Sequence, residues 1–351
     1  MTTTTAEIIA RLEPGVGRLT LNRPKALHAL TTSMCEAMIQ SLQAWSANPA
    51  VKLVLIDHAG ERGFCAGGDI RMLAESGARD GAAARRFFLV EYQLNALLMS
   101  YPKPICVIMD GVVMGGGVGL ALPCTYRVAT ERTTFAMPET GIGLFPDVGG
   151  GWYLPRLPGA AGLWLALTGA RLKAADCLAL GIATHVVTSA ATNALKAAIV
   201  AEPHRIEALL SDHAATDAEA PIQAQREAID RLFAGETVEA IFAALAADGG
   251  DWAAEQLKSL KTKSPQTMKV AHRQLRLGAA MASFADNMAM EYRIGARVVA
   301  RHDFIEGVRA VIVDKDNAPR WSPATIEGVS QAMLDEIFSP LPPDQEWTPL
   351  A

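Results

Sequence analysis

The stretch that decides the fold is ICVIMDGVVMGGGVGLAL, residues Ile105 to Leu122. Its first six residues are an apolar run of strand length closed by Asp110, the pattern of a strand covered on both faces. A glycine cluster follows, and the apolar residues beyond it open a buried helix. Asp110 and five glycines between Gly111 and Gly119 interrupt the apolar run to Cys124, so it is not a membrane span. The same order recurs upstream. VKLVLID, from Val51, is a second buried strand, and the helical run RRFFLVEYQLNALLMSY that lies between the two strands is stopped by Pro102 and Pro104. Earlier still, EIIARLE and VGRLTLN alternate apolar and polar residues around Pro14 and Gly15, a hairpin pattern. TTSMCEAMIQSLQAW has apolar residues at helical spacing, with Ser33 and Glu36 placed as a capping box. Alternating strands and helices make this an α/β chain.

From about Ala160 the texture becomes alanine-rich and helical. GLWLALTG and AADCLALG each end at glycine, the usual helix stop. SDHAATDAEAP reads as a flexible surface connection, and four amphipathic helices follow it: PIQAQREAIDRLFAG, TVEAIFAALAA, PQTMKVAHRQLRLGAAM and NMAMEYRIGARVVAR. DFIEGVRAVIVDKD reads mostly as a solvated helix running into a loop. The organisation expected is an α/β core over 1–200 and a mainly helical region over 201–351.

Half of the 351 residues are hydrophobic and a fifth are charged, which is globular composition with enough apolar surface for a large core. The net charge of -5 argues against a nucleic-acid partner, since phosphate-tracking surfaces are basic. Five cysteines in an unpatterned spread suggest neither a disulfide framework nor a zinc site, so a reducing compartment, the cytoplasm, is expected. MTTTTAEIIARLE has no basic segment followed by an apolar one, and reads as a polar tail entering a strand. No nucleophile elbow, no histidine pair at metal spacing and no phosphate-binding P-loop is present, and the seven histidines are scattered.

Two features do carry chemistry. FCAGGDI and MGGGVG each follow a strand and lead into a helix, and residues without Cβ let backbone N–H groups approach a ligand oxygen closely. Taken alone, either cluster could equally be a packing device. FAMPETGIGLFPDVGGGWYLPRL, from Phe135, sets Glu139 and Asp147 among apolar residues, where an acid is costly unless it is paired or needed. Backbone donors and a carboxylate in a dry pocket are the minimum apparatus for acyl chemistry on a thioester.

These residues resemble the crotonase (enoyl-CoA hydratase/isomerase) superfamily, and within it the 3-hydroxyisobutyryl-CoA hydrolase branch. FCAGGDIRML, MGGGVGLAL, RVATERTTFAMPETGIGLFPDVGGGWYLPRLPG, ALTGARLKAADCLALGIATHVV, SPQTMKVAHRQL and MEYRIGARVVARHDFIEGVRAVIVDKDNAPRW carry a nearly full-length likeness. The resemblance implies a crotonase-like (ClpP/crotonase) ββα spiral with a helical C-terminal region. It implies a thioesterase for 3-hydroxyisobutyryl-CoA in valine degradation, with CoA as part of the substrate and no separate cofactor or metal. It implies that Gly68 and Gly116 supply the oxyanion hole, with Gly67 and Gly115 beside them at the substrate. Glu139 matches the catalytic glutamate, Asp147 the second carboxylate of the hydrolase branch, and Glu91 a further substrate-site acid, although an acid on an amphipathic helix is more often solvated. Attack by Glu139 to form an anhydride and base catalysis on water both stay open, as do the 3-hydroxyl and the water as the partner of Asp147.

Departures from the superfamily also inform. A hydratase carries a second glutamate where this chain has Gly119, and glycine where it has Asp147. Water addition to a double bond uses a pair of carboxylates, so hydration is disfavoured here. Another acyl-CoA reaction of the superfamily and a non-catalytic scaffold are the alternatives. Asp69 is placed to cap the helix after the first glycine pair, and the resemblance implies that Arg309 or Lys315 lies near the CoA phosphates. The resemblance implies an acyl-CoA partner, no membrane, and homo-oligomers of the trimer or hexamer type.

Overall fold

The computed structural model describes residues 6–215 and 219–350. The chain divides into two compact units, Met1–Gly68 with Leu94–Phe135 and Arg171–Gln223, and Asp69–Gln93 with Ala136–Ala170 and Ala224–Ala351. Each unit is assembled from separated segments. The strands lie before residue 188 and the described elements after it are helical.

Among the described residues the strands form two sheets, in the first unit except for Ala136, the last residue of the smaller sheet's final strand. The larger has the order β1 (Ile8–Glu13), β2 (Val16–Leu21), β3 (Leu53–His58), β5 (Ile105–Met109), β7 (Tyr126–Thr130) and β9 (His185–Val187); the smaller has β4 (Gly63–Cys65), β6 (Val112–Met114) and β8 (Thr134–Ala136). β1 and β2 form the expected hairpin, with Glu13 opposite Val16. From β2 onward the large sheet is parallel. Sequence order alternates between the sheets: β3 then β4, β5 then β6, β7 then β8. Each pair is one turn of a ββα spiral, and Gly111 makes the corner between β5 and β6 at φ +93°, where a Cβ would come within 2.6 Å of Gly63 Cα. The aliphatic runs follow from cover on both faces. Leu53 and Leu55 of β3 pack with Cys106, Ile108 and Val128 against Leu195, Ile199, Ile206 and Leu210 of the helices Thr192–Ala201 and Ile206–Asp212, while Val54 and Ile56, at alternate positions, are also fully buried. Burial of each such side chain contributes about 1.5–3 kcal/mol.

The helix Thr32–Ala47 is capped by Thr31, whose hydroxyl accepts from the Met34 N–H at 3.2 Å; the Ser33 and Glu36 box does not form. Thr31 has the extended backbone a cap needs, and Ser33 already lies inside the helix. Asp69 caps Ile70–Gly77 by accepting from the Met72 N–H. Of the stretch expected to be a flexible connection, Ser211 and Asp212 end a helix, Ala214 bridges to Val187, and Thr216–Ala218 lie outside the described residues.

In the second unit, helices approach closely where glycine permits it. A Cβ on Gly278, in the helix Pro265–Ala279, would sit 1.9 Å from the Gly151 carbonyl oxygen. The helix Phe284–Val298 packs Gly295 against Phe88 of the helix Ala82–Met99. The segment from His302 is not a solvated helix: Phe304, Val308 and Ala310 are buried, and a π-helical turn, Arg309–Val313, replaces the loop. Further on, residues 341–348 strap the helix Ala82–Met99. Trp347 is buried with its Nε1–H directed at the Leu89 carbonyl, 3.3 Å away, Gln93 donates to the Thr348 carbonyl, and Arg293 pairs with Glu346 at 2.9 Å. Among the described residues no helix is long and apolar enough to cross a membrane, and the five cysteines are buried and form no disulfide.

Candidate active site

In the first unit the two glycine clusters meet. Gly67 (φ +118°) follows β4 and Gly115 (φ +47°, ψ -123°) follows β6, both in backbone regions that favour glycine. A Cβ on Gly67 would lie 3.8 Å from the Gly116 nitrogen, and one on Gly117 would lie 2.4 Å from the Cys65 carbonyl oxygen. Side chains are excluded, so backbone lines the place. Gly116 is the first residue of the fully buried helix Gly116–Ala121, and its N–H has no carbonyl within that helix to bond. Gly68, next to Gly67, bridges to Leu30, whose N–H bonds the Gly67 carbonyl. Gly119 lies inside the helix, its carbonyl accepting from the Asn95 side chain at 3.1 Å.

In the second unit Glu91, Glu139 and Asp147 come into one buried acidic environment, with exposures of 2, 4 and 5%. Glu139 opens a 3-10 turn, Glu139–Ile142, and its Oε2 is buried without a hydrogen-bond partner. Burial, reinforced by the charge of Asp147, holds its carboxyl well above the ordinary range, while its own backbone N–H offsets part of this. Asp147 accepts from the Tyr92 hydroxyl at 2.9 Å. Burial pushes it up to about 7, against the opposing pull of Tyr92 and its own N–H. Glu91 is not solvated: Oε1 has no partner, and burial, then Asp147 and Glu291, raise its pKa well above normal. The cluster takes up protons at a pH where surface carboxylates are charged, and each acid becomes a stronger base once ionised.

Sequence reasoning missed two members, Tyr92 and Glu291. The fully buried Glu291 accepts from the Gly149 N–H at 2.7 Å, the Gly151 N–H at 2.9 Å, Gln274 at 3.0 Å and Asn287 at 2.9 Å. Burial still lifts it to about 8. Its signal was present: Phe284, Met288, Glu291, Gly295 and Val298 are spaced four, three, four and three apart, so this acid sits on the apolar stripe of its helix. Between Asp147 and Gly149, Val148 has φ +52°, a left-handed conformation costing a β-branched residue roughly 1–3 kcal/mol.

Arg309 does not offer a free cation for phosphates. Glu306, Asp314 and Asp316 surround it at 2.8, 2.7 and 2.7 Å, and the pairing pulls the Glu306 carboxyl down to about 2.

A family model for enoyl-CoA hydratase/isomerase matches residues 16–338, and the chain belongs to that family. Among curated relatives, the mitochondrial 3-hydroxyisobutyryl-CoA hydrolase of Danio rerio is 45% identical over 345 residues, which is 96% of this chain and 90% of that one. The protein of that name from Homo sapiens is 41% identical, over 95% of this chain and 89% of its own. Among solved structures, a carnitinyl-CoA dehydratase from Mycobacterium thermoresistibile superposes with a TM-score of 0.94 at 42% identity, covering 98% of this chain and 99% of its own. An enoyl-CoA hydratase from Rhodobacter sphaeroides gives 0.88 at 40% identity, covering 98% of this chain and 100% of its own. The fold is therefore the crotonase fold.

Proposed function

We propose that this enzyme hydrolyses 3-hydroxyisobutyryl-CoA to 3-hydroxyisobutyrate and free CoA, a step of valine degradation. The observation that carries the reading is Glu139, a fully desolvated carboxyl with one oxygen unpartnered, in a cluster that also contains Asp147. The names of the curated hydrolase relatives support it. The structural relatives carry hydratase and dehydratase names, and Gly119 speaks against those reactions here, because that position lacks the second acid that water addition or removal requires.

In this reading the thioester carbonyl accepts from the N–H groups of Gly68 and Gly116, with Gly67 and Gly115 giving the substrate room beside them. Ionised Glu139 attacks the carbonyl carbon, the C–S bond breaks, CoA leaves as the thiolate, and water opens the anhydride. Glu91 binds the acyl group, and Asp147, the second catalytic carboxylate, engages either the 3-hydroxyl or the attacking water. CoA arrives as part of the substrate, and no separate cofactor is assigned. The reading includes a homo-oligomer, checked by light scattering, and the cytoplasm as location, to be weighed by fractionation against the mitochondrial names of the relatives.

A thiol-release assay over a panel of acyl-CoA substrates tests the activity. Rapid release from 3-hydroxyisobutyryl-CoA, slow release from isobutyryl-CoA and no hydration of crotonyl-CoA are expected. Ready hydration of crotonyl-CoA would overturn the assignment.

A further inference from the structure

We infer that Glu291 is a positioning residue for the reaction, holding Asp147 in place through the backbone of Val148–Gly151. The inference rests on the proposed role of Asp147. Asp147 is followed by a turn of conformations proteins rarely adopt, Val148 at φ +52° and Gly149 at φ +93°. Such a turn persists only where its surroundings over-determine it. The Gly150 N–H bonds back to the Asp147 carbonyl at 2.8 Å, so displacement of the triglycine segment moves Asp147 with it.

Glu291 supplies the constraint. Its Oε2 takes the Gly149 N–H and its Oε1 the Gly151 N–H, one on each side of the residue bonded to Asp147. The carboxylate is itself fixed by the Gln274 and Asn287 side chains, and Gln274 also donates to the Pro146 carbonyl at 2.7 Å. The grip therefore closes on both sides of Asp147. Its partners also leave no room to re-form elsewhere: a Cβ on Gly151 would meet Asn287 at 2.6 Å, and one on Gly149 would meet Phe284 and Tyr153 at 2.8 Å. An amide at position 291 presents an NH2 where the geometry requires an acceptor, and would face at least one of the two backbone donors with a donor of its own.

The test is a double-mutant cycle on the purified full chain with 3-hydroxyisobutyryl-CoA, using Glu291→Gln, Asp147→Asn and the double variant. Glu291→Gln is expected to lower kcat ~10- to 100-fold, the range typical of residues that orient a reacting group, with KM changed less than about twofold. In the Asp147→Asn background the same change should cost less than about threefold, because the group it positions has already lost its function. Full multiplication of the two losses, or a Glu291→Gln kcat within twofold of wild type, overturns the inference. Full activity of Asp147→Asn alone instead sinks the proposed role of Asp147. If Glu291→Gln fails to fold, Asn287→Ala carries the same cycle: the carboxylate remains with one holding bond fewer, and a smaller loss that vanishes in the Asp147→Asn background is expected, whereas one that multiplies with it overturns the inference.

Discussion

The glycine-lined corner of the first unit and the buried acidic cluster of the second would serve the proposed reaction by opposite means. At Gly67 and Gly117 side chains are left out, and in the proposed reaction the acting group is the N–H of Gly116, the first residue of a buried helix. At Glu91, Glu139, Asp147 and Glu291 acidic side chains are buried, and in the proposed reaction the chemistry would come from their ionisation. The first arrangement is sterically demanding and indifferent to pH. The second is governed by protons. Substitutions should therefore separate the two, with geometry breaking one and ionisation the other.

The largest effect is expected for Glu139→Gln, which removes charge with almost no change of volume. Turnover should fall on the order of 10³-fold or more, with CoA binding by calorimetry near wild type and no loss of thermal stability; near-normal thiol release would remove Glu139 from the reaction. On the other side, Gly116→Pro deletes one N–H at the first position of a helix, where proline is usually accepted. A loss of kcat of ~10²–10³-fold is expected, equal at pH 6 and pH 8, and a pH-dependent loss would contradict the division drawn above. Asp147→Ala should shrink the preference for 3-hydroxyisobutyryl-CoA over isobutyryl-CoA by ~5- to 100-fold, the range set by one unsatisfied buried partner. An unchanged preference with reduced rate would assign Asp147 to water instead.

Protons give a subtler contrast. Asp147 is raised from 3.8 to about 7 and Glu291 from 4.5 to about 8. With folded values above unfolded ones, the native state holds these protons more tightly. Their contribution to stability is thus fully present below about pH 4 and is lost as pH rises to about 8. Activity runs the other way, kcat/KM rising over the same interval as the acids ionise. Asp147→Asn should stabilise the fold at pH 8, on the order of 2–4 kcal/mol, and bring no gain at pH 4; a gain equal at both would show that Asp147 is not desolvated. The smallest effect belongs to Arg309→Ala. Three acids already neutralise this guanidinium, so KM for the acyl-CoA should change about twofold or less, and a tenfold rise would return Arg309 to the phosphates.

Although the spiral itself came only through the family resemblance, the sequence made the buried strands and the α/β layering legible where both faces of a strand are covered, because VKLVLID and ICVIMD are apolar without alternation. It made Glu139 and Asp147 legible because acids are rare in such company. It misplaced the cap of the first helix, since Thr31, Thr32 and Ser33 are all competent and only backbone dihedrals choose among them. Glu91 and Glu291 were harder to see, because one acid on a helix looks solvated until its neighbours at three- and four-residue spacing are traced to a core. The positive φ of Val148 has no residue-type signature at all. Nothing periodic marks residues 341–348, whose order comes from single anchors such as Trp347.

Those anchors also set a timetable. The Trp347 indole faces the carbonyl of Leu89, 258 positions earlier in the chain. The helix that bears Glu91 is therefore synthesised long before the residues that tie down its outer side, and pairings of such separation are slow to form. The contacts that strap this helix can form only once residues 341–348 have been made. An intermediate cut short of residue 341, by a stalled ribosome or a protease, would leave the Leu89 carbonyl and the Gln93 side chain without these partners.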